Sequence, residues 1–298
     1  HSMNKFNALI IGDIILDCYQ EGTINRISPE APVPVVLENS NYSVLGGAAN
    51  LALNMSKLTN KISLLGFIGS DQEGKQIKNL LKKNLIKNKI IIGSSPTTKK
   101  IRIVSDKKQI VRIDREKILP KSESKKALNI LSGKHIQEID FVLISDYAKG
   151  AISSLEHLMK KFKKAKFLVD PKGIDWSKYK GAYLIKPNKK EFESVAGKYN
   201  KETFSTKAKK ICKDLNFSHL IVTLGKEGAA VYSKKEGVFF VKGIKTKVLD
   251  VTGAGDNFFA MLAFGLMSEL SVLQASELAN KSAAISIKSF GNGIINSK

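Results

Sequence analysis

Asp250-Val-Thr-Gly-Ala-Gly-Asp256 combines the residue types that phosphate chemistry needs in one short stretch. The hydrophobic residues 246–249 read as a strand that turns through Thr252, Gly253, Ala254 and Gly255 into the apolar run 258–267. The small residues leave backbone N–H groups free to close around an anion, and a helix N-terminus adds about half a positive charge there. Asp256 then stands beside that anion hole, where a carboxylate is repelled by phosphate unless it takes a proton from an attacking hydroxyl. The same seven residues would also make an ordinary glycine-rich strand–helix turn.

Other candidates lie where strands are expected to end. Residues 6–11 read as a buried strand closing at Gly12-Asp13, with Asp17 shortly after. Carboxylates at such an end suit hydrogen bonds to sugar hydroxyls, although turns and caps use them too. Gly46-Gly47-Ala48-Ala49-Asn50 opens a helix with small residues that permit close backbone approach, and Asn50 could reach the ligand of Asp17. Further strands are expected at 62–68, 141–145, 167–169, 183–185 and 220–223. The last four end in Asp146-Tyr-Ala-Lys149, Asp170-Pro-Lys172-Gly173, Lys186-Pro187-Asn188 with Glu191 beyond, and Gly225-Lys-Glu-Gly228. Strands alternating with helices, each ending in Asp, Lys, Asn or Gly, describe a mainly parallel α/β sheet with one functional edge.

Two segments break that alternation. Arg26-Ile-Ser-Pro-Glu-Ala-Pro-Val-Pro34 packs three of the seven prolines into six residues and reads as a rigid extended strap. Ile101, Ile103 and Val104, then Ile110, Val111 and Ile113, flank a polar turn at 105–108 and predict a hairpin that covers the pocket as a lid. An amphipathic helix is expected over 71–83.

Composition sets the class. The 298 residues carry 49 Lys and Arg against 27 Asp and Glu, a net charge of +22. Only four of those cations are arginine, and the lysines are scattered, which argues for general attraction of anionic substrates and against a specific nucleic-acid partner. Arg26, Arg102, Arg112 and Arg115 therefore stand out, because only the planar guanidinium grips phosphate or carboxylate with a fork. Two distant cysteines give no disulfide framework, and the longest apolar run has ten residues, too few to span a bilayer. A soluble, cytoplasmic protein without a membrane partner is expected. His1 and Ser2, ahead of Met3, read as a cloning remnant.

The segments 46–50 and 250–256 resemble the two signatures of the PfkB (ribokinase-like) carbohydrate kinases. The strap 26–34, with 145–150 (SDYAKG), 170–173 (DPKG) and 187–193 (PNKKEFE), is similar to the D-glycero-β-D-manno-heptose 7-phosphate kinase branch, the kinase portion of a bifunctional kinase/ADP-heptose synthase. The similarity runs from about Phe6 to Gly293. It implies a three-layer α/β/α sandwich with a small β-sheet lid, its lid elements near 16–45 and 95–116, forming a single kinase domain and often a homodimer through the lid. It implies transfer of the ATP γ-phosphoryl group to the C1 hydroxyl of heptose 7-phosphate, a step in ADP-heptose and lipopolysaccharide synthesis.

By motif, the resemblance makes Asp256 the base and the amides of Gly253, Ala254 and Gly255 the anion hole. Asn188 and Glu191 match the element that organises Mg²⁺ and phosphates through water, and Asp17, Gly47 and Asn50 match sugar-binding positions, with Gly46 and Asp13 beside them. Thr223, Gly225 and Gly228, with Asn280 and Ala283, match the nucleotide side. A monovalent cation is a further candidate cofactor. Arg26, Arg102, Lys149 and Lys172 are candidates to seat the substrate's own phosphate. The chain departs from the family at Asn257, where Thr or Ser is usual, and at Thr59, Lys107, Lys108 and Met261. Its four histidines fit no His-x-Gly-His motif, so no nucleotidyltransferase domain is expected in it.

Overall fold

A computed structural model describes residues 5–131, 133–245 and 254–288, with side chains throughout except at 254–256 and 284–288. The strands are β1 (Ala8–Gly12), β2 (Ile14–Ile27), β3 (Pro34–Gly47), β4 (Ile62–Ile68), β5 (Asn88–Ile92), β6 (Thr98–Ser105), β7 (Lys108–Arg115), β8 (Phe141–Ser145), β9 (Lys166–Asp170), β10 (Leu184–Ile185), β11 (His219–Thr223), β12 (Gly228–Ser233) and β13 (Gly237–Lys242). The helices are α1 (Ala48–Ser56), α2 (Gln72–Lys83), α3 (Lys121–Ala127), α4 (Gly133–Gln137), α5 (Glu156–Lys161), α6 (Lys189–Ala196), α7 (Lys201–Leu215), α8 (Ala254–Met267) and α9 (Val272–Lys288).

Nine strands form one sheet in the order β13-β12-β11-β10-β9-β8-β1-β4-β5. The seven from β11 to β5 run parallel, while β12 and β13 are antiparallel. Period-two alternation sends Ala8 and Ile10 into a core with α1, α8 and α9, and Leu9 and Ile11 into a second core with α5, α6 and α7. The result is the α/β/α sandwich expected. Because these strands are parallel, their C-terminal ends share one edge, where Asp13, Asp146, Asp170, Asn188 and Thr223 collect.

A second sheet, in the order β3-β2-β6-β7, stands beyond that edge. Chain passes into it directly from β1 through Asp13. The hairpin expected at 101–113 is β6–β7, and Asp106 and Lys107 turn it with φ of 48° and 62°. The proline strap is not an extended strap along its whole length. Its first residues end β2, its last begins β3, and 28–33 form the exposed tip between them, closed by Ser28 N–H donating to the Val33 carbonyl at 2.8 Å. The 14-residue strand β2 was not evident from sequence because polar residues interrupt its alternation.

Asp71 caps α2 through the Gly74 amide, so the amphipathic helix starts where expected. The strand expected at 246–249 lies outside the described residues.

Candidate active site

Strand register builds one face of the small sheet into a charged surface. Asp17 of β2 is opposite Lys100 of β6, which is opposite Asp114 of β7. One pleat further, Tyr19, Arg102 and Arg112 line up in the same way. Paired residues and their i±2 neighbours share a face, so these six side chains form two adjacent rows. The Arg102 guanidinium donates to Asp17 Oδ1 at 2.7 Å and lies 5.5 Å from the Tyr19 ring. Asp17 and the charges around it hold the Arg102 pKa above its ordinary value against the effect of burial.

Lys100 lies 5.7 Å from the ring of Tyr147, which follows β8. Burial, with the positive charges of Arg112 and Lys149 nearby, pushes its pKa down despite Asp17 and Asp114. Lys149 in turn pairs with Glu116 at 2.6 Å. Among the residues singled out from sequence, Asp17, Arg102, Arg112 and Lys149 are thus brought together, and the fold adds Lys100.

Gly46 and Gly47 are required here for separate reasons. A Cβ on Gly46 would stand 2.1 Å from Asp17 Oδ2, so only glycine leaves that carboxylate its place. Gly47 has φ 58° and would meet the Asp13 carbonyl at 2.2 Å, the same carbonyl that accepts from Ala48 N–H at 2.8 Å where α1 begins. Asn50 follows on α1, half-buried.

Asp13 serves a different purpose from the sugar contact expected of it. Its buried carboxylate accepts from the backbone amides of Tyr147, Ala151 and Lys149 at 2.8, 3.1 and 3.3 Å. It therefore shapes the 146–151 loop. Burial, reinforced by the charge of Asp146, raises its pKa to about 6, and the three amides only partly offset that.

Arg26 and Lys172 are not drawn into the charged face. Arg26 is exposed near the tip of β2, nine residues from Asp17, on the order of 30 Å along an extended strand. Lys172 is exposed, and its backbone N–H donates to the Tyr179 hydroxyl at 3.0 Å. That hydroxyl donates to Asp146 at 2.5 Å, and Lys178 pairs with the same carboxylate at 2.5 Å.

At the other end of the edge, Asn188 and Glu191 form a reciprocal capping box on α6. Glu191 N–H donates to Asn188 Oδ1 at 2.7 Å and Asn188 N–H to Glu191 Oε1 at 2.8 Å. The box leaves the Asn188 NH₂ and the second Glu191 oxygen outside it. Thr223 bridges to Asn188 at the end of β11. Gly225, with φ 60°, and Gly228, with φ 93°, turn the chain back into β12, and Asn280 of α9 donates to the Lys242 carbonyl at 3.0 Å. Ala283 is half-buried against the core.

Lys186, between these clusters, is a buried cation at the same edge that residue type alone did not single out. Only 3% exposed, its ammonium is 3.5 Å from Asp170 Oδ1 at the ends of neighbouring strands. The available signal was a lysine directly before Pro187-Asn188 at a strand end. Gly253 lies outside the described residues. Ala254, Gly255 and Asp256 form the first turn of α8, and their side chains lie outside the described set.

Known proteins share this architecture. Residues 5–298 match the profile described as pfkB family carbohydrate kinase. Bifunctional protein HldE of Hydrogenovibrio crunogenus is 37% identical over 298 residues, covering 99% of this chain and 62% of that protein. Bifunctional protein HldE of Haemophilus influenzae is 36% identical over 291 residues, covering 96% and 61%. The chain therefore spans about three fifths of the length of these curated relatives. Ribokinase from Thermotoga maritima superposes with a TM-score of 0.76 at 22% identity, covering 97% of this chain and 95% of that one. Phosphofructokinase-2 from Escherichia coli in complex with potassium gives 0.80 at 18% identity, covering 97% and 94%. These two likenesses establish the ribokinase-like fold, and the profile match over nearly the whole length establishes the lineage: the chain belongs to the pfkB family of carbohydrate kinases.

Proposed function

We propose that this carbohydrate kinase transfers the γ-phosphoryl group of ATP to the anomeric C1 hydroxyl of D-glycero-β-D-manno-heptose 7-phosphate, giving heptose 1,7-bisphosphate for ADP-heptose and lipopolysaccharide inner-core synthesis. The observation that carries this reading is the charged face of the small sheet. Arg102, Arg112 and Lys100 exceed the carboxylates Asp17 and Asp114 by one, Lys149 nearby being paired with Glu116, which suits a sugar that carries a phosphate of its own. The similarity to the bifunctional HldE proteins supports heptose as that sugar.

In this reading Asp17, with Gly46 and Gly47 holding the backbone close, binds sugar hydroxyls together with Asn50. Asp256 removes the proton of the attacking hydroxyl, and the amides of 253–255 receive the transferred phosphoryl group. Thr223, Gly225, Gly228, Asn280 and Ala283 border the nucleotide. The donor set at Asn188 and Glu191 fits a hydrated Mg²⁺ carried by nucleotide phosphates, because the Glu191 oxygen left outside the capping box suits an ion that keeps several waters and takes few protein ligands. Such an ion neutralises charge on the phosphates, and a monovalent cation is a further candidate. The whole chain acts as one kinase unit with the small sheet as its lid. Exposed Ile27, Leu37, Val111 and Ile113 on that lid support a homodimer formed through it.

A phosphotransfer assay with ATP and Mg²⁺ tests this across heptose 7-phosphate, sedoheptulose 7-phosphate, fructose 6-phosphate, fructose and ribose, with Asp256→Asn alongside. Turnover of heptose 7-phosphate, lost by about 10²–10⁴-fold in the variant, is expected. Preference for another sugar reassigns the substrate, and ATP binding without any turnover points to a binding protein.

A further inference from the structure

Asn54 of α1 and Asn257 of α8 meet across the helix–helix contact, 203 residues apart in the chain, with Asn54 Nδ2 donating to Asn257 Oδ1 at 2.9 Å. Both residues are 0% exposed and sit among Ala52, Met55, Phe258 and Met261 of the same apolar core. The other two amide atoms, Asn54 Oδ1 and Asn257 Nδ2, have no hydrogen-bond partner among the described residues. Each orphan carries its full desolvation cost, so an apolar pair of similar size would hold these helices together more cheaply. A buried feature that costs stability at this particular contact points to a use other than stability.

Position supplies that use. Asn257 directly follows Asp256 in the first turn of α8. Asn54 follows Asn50 by four residues, so the two share one stripe of α1. We infer that the Asn54–Asn257 amide pair is a positioning device, fixing the rotation of the first turn of α8, which bears the proposed base, against α1, which bears a proposed sugar ligand. The leftover atoms are complementary, an acceptor on one amide and a donor on the other. The departure from the family pattern at Asn257 thereby gains a physical reason, since its amide is what Asn54 grips. The catalytic consequence rests on the base assignment proposed above.

The test compares Asn54→Leu, Asn257→Leu and the double variant with wild type, and runs Asp256→Asn in parallel. Thermal midpoint, kcat, both KM values and amide hydrogen exchange at 257–260 with a non-hydrolysable ATP analogue and Mg²⁺ are read. The double variant is expected to keep or raise the midpoint while kcat falls at least tenfold, both KM values stay within twofold, and protection at 257–260 is lost. Single-variant losses in kcat should not multiply. Unchanged exchange, or kcat within twofold of wild type in a folded double variant, overturns the inference. Should the leucine pair fail to fold, the double variant Asn54→Ala with Asn257→Ala, which removes both amides without adding bulk, is read against the same criteria. An inactive Asp256→Asn beside a fully active double variant sinks the positioning role alone. An Asp256→Asn as active as wild type sinks the base assignment, and exchange at 257–260, which needs no sugar, still decides whether the pair orders α8.

Discussion

Arg102 on β6 holds Asp17 on β2 at 2.7 Å, and only the missing side chain of Gly46 on β3 leaves Asp17 room to be held. Three strands thus agree on one carboxylate. The pair is about four-fifths buried on each side, so its loss leaves a charge without its partner.

Arg102→Ala should raise KM for the phosphosugar at least tenfold and leave KM for ATP within twofold. Arg102→Lys should recover little of the loss, because a point charge cannot both fork to Asp17 and reach a phosphate. Steady-state kinetics with each substrate varied in turn checks this, and equal effects on both KM values would remove Arg102 from the sugar side.

Gly46→Ala puts a Cβ where Asp17 Oδ2 now sits, 2.1 Å away. We expect the Asp17 side chain to be displaced and sugar KM to rise at least tenfold, with a modest change in thermal midpoint because the strand is at the rim of the core. An alanine variant with wild-type kinetics would show that the carboxylate is not used.

Glu191 has two assignments that one substitution separates. Glu191→Gln keeps a capping-box side chain, so stability should hold within about 0.5 kcal/mol. Its lost charge should raise the Mg²⁺ concentration needed for half-maximal activity. Asn188→Ala, which breaks the cap, should instead cost about 1 kcal/mol in denaturant unfolding. Unaltered Mg²⁺ dependence in Glu191→Gln would leave the pair a cap and nothing more.

His219 is buried beside Tyr183, their rings 4.6 Å apart, and burial pushes its pKa down to about 4. An unfolded chain takes up the proton below about pH 6.5, whereas the folded chain resists until about 4. The stability this neutral ring supports is therefore complete above 6.5 and is lost as pH falls towards 4, by up to about 3 kcal/mol. His219→Phe should flatten the pH dependence of unfolding in that window relative to wild type. Asp13 has the opposite sign: its pKa is raised to about 6, so its contribution is present at low pH and declines as pH rises through 6. The difference between wild type and His219→Phe isolates the histidine from it.

Tyr179 ties the loop after β9 to the loop after β8 through Asp146. Tyr179→Phe removes a hydrogen bond to a buried carboxylate and should cost about 1.5–3 kcal/mol. Urea denaturation reads this directly, with Lys178 still paired to Asp146 as the reason the protein should remain folded.

Much of the scaffold was legible in the chain because its signals are local. Residues 62–68 and 141–145 read as strands and are β4 and β8, since short runs of Ile, Leu, Val and Phe between polar breaks leave few alternatives. The β6–β7 hairpin was legible for a like reason, its alternation being interrupted by a polar turn. Strand β2 was not, because along its length polar residues and Gly22 interrupt the apolar ones and leave no clean period, although it pairs with β3 on one side and β6 on the other.

The candidate site divides along the same line. Asp17, Gly46, Gly47, Asn188 and Glu191 could be singled out from residue type and from motif, and for Gly47 and the Asn188–Glu191 cap the demand comes from the backbone immediately around them. Which cations gather, however, depends on register between strands remote in sequence, and this separated Arg26 from Arg102 and Arg112 while adding Lys100. Burial likewise turned Asp13 into the organiser of a loop and set Lys186 beside Asp170. The sequence by itself determined the alternation of strands and helices, the shared functional edge and the family to which the motifs belong. Tertiary structure alone decided which of the edge's charges face one another and that Asn54 meets Asn257, because contacts across such separations follow from sheet order and helix packing, which no local period encodes.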